Sequence, residues 1–394
     1  MQNIWTTRTT PKWFKDKVLK LAPKLIGNSE LKNMRPISLY EILRKLWTTI
    51  VGKRIHLTWH NFRVLNGAQY GYRLDNGTHM ALFNVINQIE GASHDKATKH
   101  VTFWDIRRAF DSIPRNLQKL SWVRLGVPME IAEWFVDLDD GGLTFISSPY
   151  YHLNKDLKAP EEMLKANTHF TGAPEMGFLS GRGIGQGESA SSLMWTALYD
   201  ILLDFIDPAN RHFHEAEGDL QYTNTDIDNT SLNAYADDLS TLTSGPKAEY
   251  MQQLQATWLS AFCAFAGLVI HPAKIHTTIL GPIPAKYDME RIIGPPAYTE
   301  KTDLLVHDLN WNPVSCPITP RLLTVKYLGV HLDLRHEAQA SLERVLQDIH
   351  DRISHLLLQP GSPTVKLDYI HFKIIPIALA TAVCANWSLT QYRH

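Results

Sequence analysis

Residues 232–243 read Leu-Asn-Ala-Tyr-Ala-Asp-Asp-Leu-Ser-Thr-Leu-Thr. Two short apolar runs, Leu232 to Tyr235 and Leu239 to Thr243, flank Ala236-Asp237-Asp238, the pattern of a hairpin with a tight acidic turn. Adjacent carboxylates between apolar strands repel each other unless a cation shares them. Mg2+ suits such a pair, because it prefers carboxylate oxygens together with substrate phosphates. An Asp-Asp dipeptide also makes an ordinary β-turn, so its meaning depends on what surrounds it.

Upstream, His100 to Ile106 reads as a strand, with Asp105 where the chain turns into a helix in Phe103-Trp104-Asp105-Ile106-Arg107-Arg108-Ala109-Phe110-Asp111. Asp105 with Asp237 and Asp238 would supply three acidic ligands, enough to hold two divalent ions about 3.5 to 4 Å apart for in-line phosphoryl transfer. The helix that follows spans about Ile113 to Leu125, with Ser112 as N-cap, Pro114 in the first turn and Gly126 ending it. A third stretch, Ser180-Gly181-Arg182-Gly183-Ile184-Gly185-Gln186-Gly187-Glu188, has the glycine density that lets backbone come close to a base pair or sugar. Gly185-x-Gly187-x-x-Ala190 can also be read as a dinucleotide fingerprint, but no βαβ repeat surrounds it. It leads into an apolar stripe from Ala190 to Ile206 that stops at Asp207-Pro208 and predicts a buried helix.

Nearer the N-terminus, Arg35-Pro36-Ile37-Ser38 reads as a turn. Ser38 would cap a helix whose apolar face is Ile42, Leu43, Leu46, Trp47, Ile50 and Val51. Helical spacing returns after Arg335 through Leu342, Val345, Leu346, Ile349 and Ile353. Three aperiodic stretches, 137–183, 207–230 and 281–324, read as surface insertions.

The chain has 394 residues, 44% hydrophobic and 20% charged, which is the composition of a packed globular protein. Single cores stop growing at roughly 250 to 300 residues, so several subdomains are expected. Cys263, Cys316 and Cys384 lie far apart without a CxxC spacing, which argues against a disulfide framework or a cysteine zinc site and for a reducing compartment. Met1 to Lys15 lacks the apolar core of a secretory signal. The run Ile374 to Trp387 is interrupted by Pro376, Thr381 and Asn386 and reads as a buried helix instead of a membrane span. The expected location is intracellular, nucleus or cytoplasm, with no secretion and no membrane partner. Net charge is -1, yet residues 1–60 hold twelve Lys/Arg against three Asp/Glu, a local +9 suited to an anionic partner.

Taken in order, these motifs resemble those of reverse transcriptases, specifically of the non-LTR retrotransposon and group II intron type. Arg35-Pro36-Ile37-Ser38 resembles the first fingers motif and Gln69-Tyr70-Gly71-Tyr72-Arg73 the second. Asp105 to Asp111 resembles motif A, Gly185-Gln186-Gly187 motif B, and Tyr235 to Asp238 the YxDD box of motif C. Gly267 to Lys274 resembles motif D, and Lys326-Tyr327-Leu328-Gly329-Val330 the primer grip. The resemblance runs from about Met34 to Asp333. Gly185 stands where that family usually has proline, His271 where asparagine is frequent, and Ser-Ala-Ser-Ser at 189–192 where Leu-Ser-Pro is usual.

The resemblance implies an α+β right-hand polymerase with an antiparallel-sheet palm, fingers and the start of a helical thumb. Fingers would cover 1–99, a palm with the three insertions 100–334, and a partial thumb 335–394. It implies an RNA-directed DNA polymerase that adds deoxynucleotides to a primer 3′ end with two Mg2+ ions, Mn2+ being an alternative ion. Its partners would be an RNA template, a DNA primer and dNTPs. Asp105, Asp237 and Asp238 would be catalytic and bind metal with the Ile106 carbonyl. Arg35, Ile106, Phe110, Gln186, Gly187 and Lys274 would bind the nucleotide, and Tyr327, Leu328 and Gly329 would place the primer. Arg73 would meet template or triphosphate, or make a salt bridge within the fingers. Two other readings stand beside this one. An RNA-dependent RNA polymerase shares the palm, but tends to carry an acidic residue five positions after the first Asp, where this chain has Phe110. A non-catalytic RNA-binding remnant would be marked by a lost metal carboxylate, and none is lost. No endonuclease, RNase H or zinc-knuckle signature is visible, so the chain reads as a piece of a longer element protein.

Overall fold

The computed structural model describes residues 6–7, 9–23, 34–74, 76–94, 98–107, 109–147, 178–206, 230–245, 248–282, 304–316, 318–319, 324–334, 338–376 and 379. It is α+β, as expected, and divides into two compact units. One comprises residues 1–65 and 108–201, the other 66–107 and 202–394.

In chain order the principal elements begin with β1 (Lys17–Pro23), β2 (Met34–Tyr40), α1 (Ile42–Asn61) and α2 (Thr78–His94). β3 (Lys99–Trp104), β4 (Ile106–Arg107), α3 (Arg115–Arg124), α4 (Met129–Asp137), β5 (Leu143–Ser147), β6 (Phe178–Leu179) and α5 (Ser191–Ile206) follow. Then come β7 (Thr230–Tyr235), β8 (Asp238–Ser244), α6 (Ala248–Ala266), β9 (Val269–Ile270) and β10 (His276–Leu280). The last are β11 (Leu304–His307), β12 (Pro313–Cys316), β13 (Thr324–Tyr327), β14 (Val330–Asp333), α7 (Ala338–Leu358) and α8 (Pro363–Tyr369).

The first unit is built on a sheet of order β2-β1-β5-β6. Arg35 to Ser38 is not a turn: all seven residues of β2 pair antiparallel with β1, and the cap of α1 is Glu41, whose carboxylate accepts from the Ile42 N–H at 2.6 Å. α1 also turns a different face inward than its apolar spacing predicts. Arg44, Thr48, Val51, Gly52 and Trp59 are buried, while Ile42, Leu43, Leu46 and Ile50 are exposed.

The reason is Arg44, 1% exposed. Its Nε donates to Glu188 at 2.7 Å, Nη2 to Asp139 at 3.0 Å and Nη1 to the Leu138 carbonyl at 2.7 Å, and its guanidinium lies 4.1 Å over the Tyr40 ring. A buried guanidinium must be matched by acceptors, and that demand outranks the burial of a few leucines. Burial disfavours the charged form of Asp139, but Arg44 and Lys17 prevail and hold its carboxyl below the usual range. Lys15, Lys17 and Arg44 thus spend their charge on Asp137, Asp139 and Glu188, so the +9 of the N-terminal segment is partly neutralised inside the protein.

Other local readings shift in the same way. β5, expected within an aperiodic insertion, runs parallel to β1 in the sheet. The helix expected from Ile113 starts at Arg115, with Pro114 as an extended N-cap and no side-chain cap, and Gly126 ends it at φ +82° as expected. β11 and β12 form a hairpin inside the stretch 281–324. The expected helix at 374–387 lies outside the described residues beyond Pro376, Leu379 excepted.

The second unit centres on an antiparallel sheet of order β10-β3-β8-β7. β3 is covered on both faces. Val101 and Phe103 join a core with Leu82, Val85 and Ile89 of α2 and with Tyr327, Val330 and Leu332 of the β13–β14 hairpin. Thr102 points the other way and accepts from Gln252 of α6 at 2.6 Å. That alternation is the period-two signature of a strand. Among the described residues no helix is long and apolar enough to cross a membrane.

Truncating Arg44 to Met leaves Glu188 buried without its cation and Asp139 with Lys17 alone, and an uncompensated buried charge costs about 3 to 5 kcal/mol. Urea unfolding followed by tryptophan fluorescence should show a loss of that size. A loss below about 1 kcal/mol would mean that the network does not orient α1.

Candidate active site

The acidic turn lies between β7 and β8, where Tyr235 pairs with Asp238 and leaves Ala236-Asp237 as a two-residue turn. Ala236 has φ +59°, left-handed and unusual for alanine. β8 lies beside β3 with Leu239 opposite Trp104, so the residue before β8, Asp237, and Asp238 itself come to the end of the sheet where β3 delivers Asp105. Asp105 interrupts the strand between β3 and β4. Its carbonyl accepts from the His271 N–H at 3.0 Å, and Ile106 and Arg107 pair with Ile270 and Val269. That docking brings the turn Pro272–Lys274 against the site, with Lys274 Nζ 3.4 Å from Asp105 Oδ2.

The carboxylates feel one another. Burial, then Asp237 and Asp105, push the Asp238 carboxyl up to about 7, with Lys274 acting in the opposite sense. Tyr72 is likewise raised, by burial first and then by the charge of Asp237, and its ring lies 6.5 Å from that of Tyr235. Asp105 Oδ2 is enclosed yet accepts no hydrogen bond. Among the described residues no three His, Cys, Asp or Glu side chains are gathered closely enough to hold a metal ion as they stand. The donor chemistry nevertheless fits a hard divalent cation: carboxylate oxygens, one of them enclosed and facing Lys274 without a hydrogen bond, in a place that already disfavours negative charge. Ile106, expected to contribute its carbonyl, is buried and paired with Ile270.

Tyr327, Leu328 and Gly329 also lie in this unit. Tyr327 is a core residue, its hydroxyl donating to the Asn233 carbonyl at 3.1 Å and its ring 5.2 Å from Phe103. Leu328 and Gly329, at φ +50° and +85°, form the turn of the β13–β14 hairpin. Arg73 donates through Nη1 to the backbone carbonyls of Asn66 and Gln69, at 3.0 and 3.3 Å, so it orders its own loop.

Arg35, Phe110, Gln186 and Gly187 belong to the first unit. Arg35 is exposed on β2. Ser38 of the same strand donates its N–H to the Gln186 carbonyl at 2.6 Å, which brings two sequence-distant motifs into backbone contact. Gly187 sits at φ +125°, and a Cβ there would run into the Ser38 carbonyl. A Cβ on Gly185 would overlap the Tyr40 hydroxyl, which accounts for the absence of proline at this position. Glu188, held by Arg44 and Thr48, anchors the far side of the loop. A cavity of about 190 Å3 opens beside it, with Lys17, Ser38, Asp111 and Arg182 among its lining residues. Phe110 is partly buried, its ring stacked 5.1 Å from Trp195, and its carbonyl accepts from Ile184 at 2.7 Å.

Sequence reasoning did not single out Tyr40, Arg44, Glu188 or Gln69, although all four hold the loops that carry the motifs. A polar residue one or two positions from a required glycine, as in Glu188 after Gly187 or Gln69-x-Gly71, is the available signal.

Comparison with known proteins bears on the whole arrangement. Residues 23–332 match the family described as reverse transcriptase (RNA-dependent DNA polymerase). A probable RNA-directed DNA polymerase from transposon BS of Drosophila melanogaster is 23% identical over 334 residues, covering 82% of this chain and 30% of that protein. The chain therefore spans under a third of that relative's length. Among solved structures, telomerase from Candida tropicalis truncated from its C-terminal domain is similar with a TM-score of 0.44 and 13% identity, over 80% of this chain and 59% of the other. Telomerase from the same organism, with a fragment of telomeric RNA, gives 0.46 and 10% over 97% and 57%. With a family match covering well over half of its residues, the chain belongs to the reverse transcriptase (RNA-dependent DNA polymerase) family.

Proposed function

We propose that the chain is the polymerase core of a retroelement reverse transcriptase, extending a DNA primer on an RNA template with dNTPs. The observation that carries this reading is the gathering of Asp105, Asp237, Asp238 and Lys274 at one end of an antiparallel sheet, where burial and mutual repulsion raise Asp238 to about 7. The division into fingers over 1–99, palm over 100–334 and partial thumb over 335–394 is part of the proposal.

Asp105, Asp237 and Asp238, with the Ile106 carbonyl, would hold two Mg2+ ions, or Mn2+ in their place, which when bound acidify the primer 3′ hydroxyl and neutralise the triphosphate. Lys274, mostly exposed and tethered to Asp105, is positioned to neutralise or protonate the departing pyrophosphate. Arg35, on the exposed side of β2, offers its guanidinium to the triphosphate. Gln186 and Gly187 present a loop whose backbone is fixed against Ser38 and can face the incoming nucleotide. The Leu328-Gly329 turn, fastened by the buried Tyr327, is suited to seat the primer end through its backbone. Phe110, one ring of a stack with Trp195 and Tyr199, is suited to exclude a ribose 2′-OH.

Three outcomes test this reading. Asp237→Asn should abolish primer extension on an RNA template at saturating Mg2+ while leaving the circular dichroism spectrum intact; equal extension by variant and parent would end the two-metal assignment.

The second concerns pH. The folded-state carboxyl of Asp238 titrates near 7, above its ordinary 3.8, so the metal-free native state keeps a proton that the unfolded chain has lost. Its stability should therefore rise as pH falls through 7 toward 4. A divalent cation must displace that proton, so the thermal stabilisation given by Mg2+ should grow from pH 6 to pH 8, and Asp238→Asn should flatten both trends. A Mg2+ stabilisation independent of pH would contradict the assignment.

The third concerns the sugar. An unpaired buried hydroxyl costs on the order of 1 to 3 kcal/mol, and with a steric clash a discrimination of about a hundredfold is reasonable. Phe110→Val should keep most deoxynucleotide incorporation and raise ribonucleotide incorporation, measured as kcat/KM on one template. An unaltered ratio in a folded variant would make Phe110 a packing residue only.

A further inference from the structure

The turn that carries Asp237 and Asp238 is closed by the Tyr235 to Asp238 pair and is also held from outside the hairpin. Ala236 is left-handed without being glycine, a conformation that such a residue keeps where its surroundings hold it. What touches it is Gln69, 0% exposed. Gln69 Oε1 accepts from the Ala236 N–H at 3.2 Å and from the Gly71 N–H at 2.9 Å, and Nε2 donates to the Ala236 carbonyl at 3.4 Å. One carboxamide thus engages both polar groups of the residue immediately before the acidic pair.

The clamp is itself anchored. Residues 68–70 run parallel to the outer edge of β7, with the Ala234 N–H donating to the Ala68 carbonyl at 2.9 Å and the Tyr70 N–H to the Ala234 carbonyl at 2.7 Å. Arg73 holds the Gln69 carbonyl, the Asn66 side chain accepts from the Ala68 N–H at 2.9 Å, and the Tyr70 hydroxyl is bonded to Asn84 of α2. Gly71 belongs to the same device, because a Cβ there would run into the Ala236 nitrogen. Only an unsubstituted residue lets the loop come this close.

We propose that Gln69 is a positioning residue for the reaction: it acts through the Ala236 peptide to set where the Asp237 and Asp238 carboxylates stand. The inference rests on the reading of those carboxylates as the metal-binding pair. The chemistry demanded at 69 is specific. Two N–H groups need an acceptor and a carbonyl needs a donor, on a side chain of glutamine length and without charge, because an anion here would add to the repulsion already acting on Asp238. Asparagine is one methylene short, glutamate lacks the donor, and methionine fills the volume with neither.

The test compares Gln69→Met with Gln88→Met in the full chain. Gln88 also bonds β7, to Ser231 and Asn233, but away from the turn, so its loss loosens the same strand without touching Ala236. The probe is Mg2+ alone, titrated by thermal shift in the absence of nucleic acid, and in parallel by primer extension. Gln69→Met should raise the half-maximal Mg2+ concentration in both assays about tenfold with KM for primer-template unchanged, while Gln88→Met lowers the melting temperature and leaves the Mg2+ midpoint within twofold of the parent. A folded Gln69→Met with an unchanged midpoint overturns the inference, as does an equal shift in Gln88→Met. If Gln69→Met does not fold, Gln69→Asn carries the same two outcomes, and failure of both to fold overturns it by making Gln69 a determinant of the fold. Asp237→Asn separates the levels. If that variant keeps the parental Mg2+ response, the reading of the site fails and takes the inference with it; if it loses the response while Gln69→Met does not, only the inference fails.

Discussion

Three carboxylates brought to one end of a sheet repel one another, and everything around Asp105, Asp237 and Asp238 has to hold them in place against that force. The backbone part is simple: β3 and β8 are hydrogen-bonded neighbours, so Asp105 after β3 and Asp238 at the start of β8 meet by register. The electrostatic part is visible in the raised Asp238 and in Lys274, which reaches Asp105 from a turn docked on the Asp105 backbone. A place where carboxylates are unhappy as anions is a place where a divalent cation is welcome. On the proposed reading, the cost of the arrangement in the folded chain would favour cation binding.

Both units solve their loop problem with a buried polar side chain instead of apolar packing. Arg44 ties Glu188, Asp139 and the Leu138 carbonyl together behind the Gly185-Gln186-Gly187 loop. Gln69 fastens the Ala236 peptide behind the acidic turn. Hydrophobic contacts are non-directional and would leave such loops free to slide, whereas a hydrogen bond buried without access to water fixes both distance and angle. Glycines mark where each loop is pressed on its neighbour, Gly187 against Ser38 and Gly71 against Ala236.

The parts of this structure legible in the sequence are those decided locally. The β7–β8 hairpin, the strand ending at Asp105, the buried helix α5 and the left-handed Gly126 all follow from short-range pattern and turn chemistry. The misread parts are decided by distant partners. Arg35 to Ser38 looks like a turn because of Pro36, yet it is a strand because β1 pairs with all of it. α1 carries an apolar stripe that periodicity assigns to the core, and Arg44, whose side-chain and carbonyl acceptors on Leu138, Asp139 and Glu188 lie 94 to 144 residues away, turns the helix round. β5 has no local signal beyond a few β-prone residues and exists because β1 offers an edge. The role of Gln69 depends on a residue 167 positions later and could not be seen before the two were in contact.

The central claim is that the three carboxylates form one cation site. Crystals of the chain soaked in Mn2+, with anomalous scattering recorded at the manganese edge, test it directly. The account predicts manganese at the Asp105, Asp237 and Asp238 carboxylates, with Lys274 released from Asp105. Manganese found only elsewhere, with the Lys274 to Asp105 pair intact, would contradict it.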